Sequence, residues 1–178
     1  MRPGGGKEKG NQYERDVCRD LTKWIHGKDK PLLFWRSTTS GGHWTTTKSA
    51  KSQAGDIAVI ADPDDEGFDE AIWFLRHFTF ECKRTKPVKM QLGHTKEFEK
   101  LWQQAVEQAR GLNREPLLFV KFDHRKELIG CSVKVANALM PSIDVYAVYA
   151  FGKGLETVVL FLKDSLLSLS FSEFQKII

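Results

Sequence analysis

The sequence predicts an α/β protein in which helices flank a mixed central β-sheet. Three observations carry that expectation. Two amphipathic helical stripes, at 11–25 and 95–110, bracket a run of strand-like segments. Short apolar runs at 32–36, 56–61 and 117–122 have the length and composition of buried strands. A fourth strand-like segment ends in the alternating pattern His77-Phe78-Thr79-Phe80-Glu81-Cys82-Lys83, apolar on one face and polar on the other.

Taken in order, residues 1–10 are rich in glycine and charge and are expected to be flexible. Tyr13, Val17, Leu21, Trp24 and Ile25 recur at helical spacing, and Gly27 suits the helix end. Glu14 lies on that apolar stripe with Val17, Cys18, Leu21 and Ile25. A carboxylate there either has a partner or a cation, or it sits at the edge of the stripe in water. A strand over 32–36 leads into a long polar loop, 37–53, containing Gly41-Gly42. The apolar strand 56–61 is followed by an acidic turn, 62–70, and by one long or bent strand over 71–83, so the pair reads as a hairpin with an extended, solvated tip. Asp64, Asp65 and Glu66 lack the spacing and glycine of an EF-hand calcium loop.

The helix over 95–110 buries Phe98, Leu101, Trp102, Ala105, Ala109 and Leu112, and Gly111 closes it. Pro116 precedes the strand 117–122. The segment 131–139 is ambiguous and is compatible with a short helix before Pro141. Segments 144–151 and 155–163 flank Gly152-Lys153-Gly154 as a hairpin, and Ser170-x-x-Glu173 is a capping box opening a terminal helix.

The length of 178 residues is that of one domain, 1–178, with a core over about 11–123 and an extension of the same domain over 124–178. Hydrophobic residues at 41% and charged residues at 28% are ordinary for a globular protein. The net charge of +4 permits nucleic-acid binding without establishing it. Between Trp35 and Gly55 there is no acidic residue, while Arg36, Lys48 and Lys51 lie among Ser, Thr, Gly, His43 and Trp44. That stretch suits phosphate contacts, with the aromatic ring free to stack on an unpaired base, or a plain mobile surface loop. Cys18, Cys82 and Cys131 are scattered, without a CxxC pair or Cys/His cluster, which points to free thiols packed in a core in a reducing compartment. There is no signal-peptide core and no apolar run long enough to span a membrane, so a cytoplasmic location without membrane contact is expected. None of the five histidines has a nucleophile or ligand partner at useful spacing.

The chemistry concentrates at Glu81-Cys82-Lys83. Alternation puts Phe78, Phe80 and Cys82 on one face and Thr79, Glu81 and Lys83 on the other. Asp56 opens the strand 25 positions upstream. With Asp56 on a neighbouring strand, two carboxylates and an ammonium converge, a set able to hold a divalent cation and a water beside a phosphodiester. The competing account is a strand-face ion pair of little energetic weight.

An Asp at a strand end followed by Glu-x-Lys in a later strand resembles the PD-(D/E)XK nuclease superfamily, the motif falling on Asp56, Glu81 and Lys83. Gly55 stands where the name-giving motif has proline. The element order is similar to the restriction-endonuclease-like core, and most similar to Holliday junction resolvases of archaeal type and their phage and bacterial relatives. Glu14 matches their helical acidic residue, Arg36-Ser37 their first-strand arginine and mobile loop, and Phe119-Val120-Lys121-Phe122 their following strand. The likeness covers roughly 10–123 and departs in the longer 37–53 loop, the acidic insertion before Glu81 and the C-terminal extension.

The resemblance implies a metal-dependent endodeoxyribonuclease, selective for branched or four-way DNA, of bacterial, archaeal or phage-encoded intracellular origin. It implies Mg²⁺, with Mn²⁺ as substitute, held by Asp56, Glu81 and the carbonyl of Cys82. Lys83 orients the attacking water, and Glu14 acts through water or on a second ion. DNA contacts are expected from Arg36, Ser37, His43, Lys48, Lys51 and Gln104. Gln104 and Gln108, one turn apart, either face the site or form a solvated helix face. A homodimer is implied, its interface supported by the 144–163 hairpin unless those strands are buried within the monomer. The alternatives are a restriction-type nuclease, a nuclease of repair or phage DNA processing, or a DNA-binding module that keeps the fold without catalysis.

Overall fold

Strand alternation sorts the apolar residues of this chain onto two faces of one sheet. The computed structural model describes residues 5–29, 31–37, 53–85, 95–151 and 157–178. The chain runs α1 (Gly5–His26), β1 (Phe34–Arg36), β2 (Gln53–Ala54), β3 (Ile57–Val59), α2 (Phe68–His77), β4 (Phe78–Thr85), α3 (Thr95–Gly111), β5 (Glu115–Phe122), β6 (Leu128–Ser132), α4 (Val133–Leu139), β7 (Ala147–Tyr149), β8 (Val158–Leu162), α5 (Lys163–Leu167) and α6 (Phe171–Ile177). A five-stranded sheet has the order β4-β5-β6-β8-β7, and a small antiparallel sheet the order β1-β3-β2. Among the described strands of the large sheet, β4 and β5 pair parallel and the other pairs antiparallel. A parallel pair needs a crossover, and α3 lies in it. This is the mixed sheet flanked by helices that the sequence predicts.

On one face, Phe78, Phe80 and Cys82 of β4 pack with Phe119, Ile129 and Phe161 against residues of α1, α2, α4 and α6. On the other, Leu118, Val120, Leu128, Val158 and Leu160 pack against Phe98, Trp102, Ala105 and Val106 of α3. Glu81 and Lys83 pair in register with Leu118 and Val120, so they share the α3 face. All three cysteines are free and buried, as packing residues should be.

Phe74 joins the layers. It lies 5.0 Å from Phe80, 5.7 Å from Trp24 and 5.8 Å from Phe174, centroid to centroid. The Trp24 indole N–H donates to the Leu169 carbonyl at 2.7 Å, and the Lys163 ammonium meets Asp20 at 2.6 Å and Glu127 at 2.5 Å. The C-terminal elements thereby fix the orientation of α1, the helix that carries Glu14.

The structure corrects two expectations. Residues 71–83 are not one strand: α2 occupies Phe68–His77 and β4 begins at Phe78. Ala71, Phe74 and Leu75 are buried at helical spacing, Asp69 and Glu70 sit in the first turn, and Arg76 and His77 in the last, as the helix dipole favours. The acidic segment therefore links β3 to a helix instead of capping a hairpin. Within the segment expected to be flexible, residues 5–10 are helical, since α1 begins at Gly5. Elsewhere, the ambiguous 131–139 segment resolves into the end of β6 followed by α4, whose N-cap is the Ser132 side chain. β7 and β8 pair antiparallel, and the Ser170/Glu173 capping box is formed.

Candidate active site

The site is built at the edge of β4, where a turn from the small sheet reaches it. Gly55 forms a single parallel bridge with Phe80. The Asp56 N–H then donates to the Phe80 carbonyl at 2.8 Å, and the Ser37 N–H donates to the Asp56 carbonyl at 2.8 Å. The Cys82 N–H donates to Asp56 Oδ2 at 2.8 Å. The Asp56 side chain is therefore fixed by the backbone of the strand that carries Glu81 and Lys83. Gly55 permits this approach. Its φ is +73°, and a Cβ there would lie 2.0 Å from the Phe80 carbonyl oxygen. Proline, locked near φ −65°, does not fit this turn, which accounts for the departure from the name-giving motif. Gly55→Ala is expected to cost at least about 1–2 kcal/mol from the left-handed backbone alone, with the clash added. A thermal melt measures the loss, and the Asp56–Cys82 contact should loosen with it.

Glu81 is 1% exposed and Asp56 8% exposed, on a strand buried on both faces for its first five residues. The Lys83 ammonium lies 2.5 Å from Glu81 Oε1. The Gln108 side chain of α3 adjoins Glu81 and favours its ionised form, yet neither Glu81 oxygen has a well-formed hydrogen bond among the described residues. Burial, then the charge of Glu81, pushes the Asp56 carboxyl up to about 7, opposed by the Cys82 amide and Lys83. Burial also raises Glu81, against the pull of Lys83. Burial alone would lower Lys83, but Glu81 and then Asp56 outweigh it and hold the ammonium above its ordinary value. Two crowded carboxylates with incompletely satisfied oxygens form an environment that a divalent cation would relieve.

Glu14 approaches from α1. Its Oε2 accepts from Arg36 Nε at 2.9 Å, while Arg36 Nη2 donates to Asn11 Oδ1 at 3.0 Å. Of the readings left open for Glu14, the structure supplies a partner, Arg36. Its charge nonetheless raises both Asp56 and Glu81. Among the described residues no three His, Cys, Asp or Glu side chains stand close enough together to ligate one ion. The set available is Asp56, Glu81 and backbone carbonyl oxygen, which suits Mg²⁺, an ion that keeps several waters.

Of the residues singled out in the sequence, Asp56, Glu81, Cys82 and Lys83 come together, with Glu14 beside them. Arg36 lies on Glu14. Ser37 is 2% exposed and its amide supports the Asp56 turn. Gln104 is exposed, whereas Gln108, one turn further on, is the glutamine at Glu81. His43, Lys48 and Lys51 lie outside the described residues. Sequence reasoning placed Thr79 on the face of Glu81 but gave it no role; it is 1% exposed, with a hydroxyl that has no hydrogen-bond partner among the described residues. Sequence reasoning passed over Asn11, which braces Arg36. Only the position of Thr79 two residues before Glu81 on an alternating strand signalled it.

The sheet, its crossover helix and the Asp56/Glu81/Lys83 grouping at its edge define the class: a fold of the PD-(D/E)XK nuclease type. The family described as "Phage putative PDDEXK endonuclease" matches residues 5–176, and the chain belongs to that family. No curated protein and no solved structure matches the chain.

Proposed function

We propose that the protein is a divalent-metal-dependent endonuclease that cuts DNA, with branched, four-way DNA as its preferred substrate. One observation carries the catalytic reading: Asp56 and Glu81, both buried, converge on the β4 edge beside the Lys83 ammonium. Asp56, Glu81 and the Cys82 carbonyl would hold Mg²⁺ or Mn²⁺, and the ion when bound supplies charge neutralisation at the phosphate and acidifies a water. Lys83, kept charged by Glu81, donates to the phosphate or orients the water and does not act as the base. Gln108 steadies the Glu81 carboxylate. Glu14 adds negative charge that favours a cation, and Arg36 sets its orientation.

The preference for branched DNA is supported by the Glu14 and Arg36-Ser37 pattern and by the form of a sheet edge to which no further strand is paired among the described residues. β7 ends the large sheet, with Tyr146 at 60% and Val148 at 58% exposure. Residues 145–151 contain no charge, proline or glycine, the usual protections of an edge strand. A second copy pairing along β7 about a two-fold axis would bury that edge and present two sites to the two strands of a junction.

The test is a panel of linear, flapped, forked and four-way DNA incubated with Mg²⁺ or Mn²⁺, with light scattering on the same sample. Paired cuts in four-way DNA by a dimer are expected. Trimming of linear ends by a monomer would overturn the branched-DNA reading and leave a repair-type or phage-processing nuclease. Binding without metal-dependent cleavage would leave a DNA-binding module.

A further inference from the structure

We infer that the turn joining β5 to β6, carrying His124, Arg125 and Lys126, is a docking site for the DNA phosphate backbone on one side of the cut. This rests on the nuclease reading. Because β4 and β5 are parallel and in register, with Lys83 opposite Val120 and Thr85 opposite Phe122, they end together at one margin of the sheet. The turn begins at Asp123, three residues beyond the level of Lys83, or about 10 Å along a strand. That span corresponds to about three nucleotide steps at the 3.4 Å rise of one DNA strand.

The turn is held in place and stripped of its negative charge. The Asp123 N–H donates to the Thr85 carbonyl at 3.3 Å. Asp123 Oδ1 accepts from Arg84 Nε at 3.1 Å, and Oδ2 lies 3.9 Å from Lys9 Nζ. Glu127, the next carboxylate, is turned onto Lys121 and Lys163. His124, Arg125 and Lys126 are exposed, and none of them forms a salt bridge among the described residues.

His124 adds a second, independent sign. Its φ is +63°, a left-handed conformation that glycine adopts freely and that costs another residue about 1 kcal/mol. The Arg125 N–H donating to the Phe122 carbonyl at 3.1 Å closes the turn around it. An exposed imidazole thus stands at the tip of the turn where glycine would be less strained.

The opposite end of the molecule has the opposite charge. Within α1, Lys9, beside Asp123, is separated from His26 by about 26 Å at 1.5 Å per residue. Beyond its end, Lys28 pairs with Glu66 at 2.6 Å in a segment that holds Asp62, Asp64, Asp65, Asp69 and Glu70. Five cations and two carboxylates mark one pole (Lys9, Arg84, Lys121, Arg125 and Lys126 with Asp123 and Glu127), and at the other the acidic segment 62–70 outnumbers its partner Lys28. Such a field draws a polyanion to the β5–β6 side of the site and repels it from the far side.

The experiment is fluorescence anisotropy of labelled duplex and four-way DNA, without metal, across a salt series. Arg125→Ala/Lys126→Ala should weaken binding about tenfold or more at moderate salt. It should also make the slope of log K against log salt shallower by about 2, since each lost phosphate contact removes about 0.9. Lys28→Ala/Lys134→Ala removes the same charge elsewhere and should leave the slope unchanged. His124→Gly should melt at the same temperature or higher yet bind more weakly. An unchanged slope in the first variant, an equal loss in the second, or undiminished binding by His124→Gly would each overturn the docking site. If the unaltered protein binds no DNA at all, the nuclease reading itself fails.

Discussion

Asp56→Asn should make the metal-free protein more stable while abolishing cleavage. Asp56 is 8% exposed, and burial and the neighbouring Glu81 push its carboxyl up from 3.8 to about 7. The native state then holds the proton over a range in which the unfolded chain has released it. Stability from this group is therefore fully present below about 3.8 and is lost as pH rises through about 7. Asparagine keeps an oxygen to accept the Cys82 N–H at little change of volume, and removes the buried charge. Above pH 7 the gain should be on the order of 1–3 kcal/mol, the cost of a poorly compensated buried polar or charged group. The gain should shrink toward pH 4. Denaturant melts of both proteins across that range give the difference directly.

Metal should reverse the ranking. An ion that binds only the native state stabilises it by mass action, and a ligating Asp56 must lose its proton to bind one. Mg²⁺ or Mn²⁺ should raise the melting temperature of the unaltered protein, more strongly at pH 8 than at pH 6, and leave Asp56→Asn nearly unmoved. Equal metal shifts in both proteins would remove Asp56 from the ligand set.

The grouping of Asp56, Glu81 and Lys83 was legible because strand alternation is local: once Phe78 and Phe80 face a core, Glu81 and Lys83 must share the other side. The sheet class was legible for the same reason, since apolar strands and helical stripes announce themselves within a few residues. Residues 71–77 were misread because Ile72-Trp73-Phe74 have high strand propensity and run into a true aromatic strand. The helical spacing of Phe68, Ala71, Phe74 and Leu75 was present, and tertiary packing on Trp24 and Phe174 decides in its favour. The sequence also could not distinguish Gln104 from Gln108, because one helical turn separates an exposed glutamine from one lying against Glu81. That choice depends on how α3 rests on the sheet. The burial of Glu81 was hidden too: an alternating strand reads as half-solvated, and it is the crossover helix α3, distant in sequence, that covers its polar face.

Lys83→Ala should reduce cleavage by about 10²-fold or more, the scale of losing one preorganised charged donor in an active site. The same variant should show why this residue cannot be judged by activity alone. Lys83 is the cation on Glu81, at 2.5 Å from a carboxylate that is 1% exposed. Its removal leaves Glu81 buried without a countercharge, so the metal-free variant should lose stability above the ordinary carboxylate range and recover it as pH falls and Glu81 takes up a proton. The Lys83 side chain is 34% exposed, so solvent moderates that loss. Added Mg²⁺ places positive charge on the same carboxylate and should restore much of the stability. It should not restore cleavage, because the ion replaces the ammonium as a partner for Glu81 but not as the group that meets the phosphate or the water. Melting curves with and without metal, beside single-turnover cleavage of bound DNA, separate the two effects. A folded Lys83→Ala protein that cleaves at a near-normal rate would reduce the Glu81–Lys83 pair to a strand-face ion pair and remove Lys83 from the catalytic set.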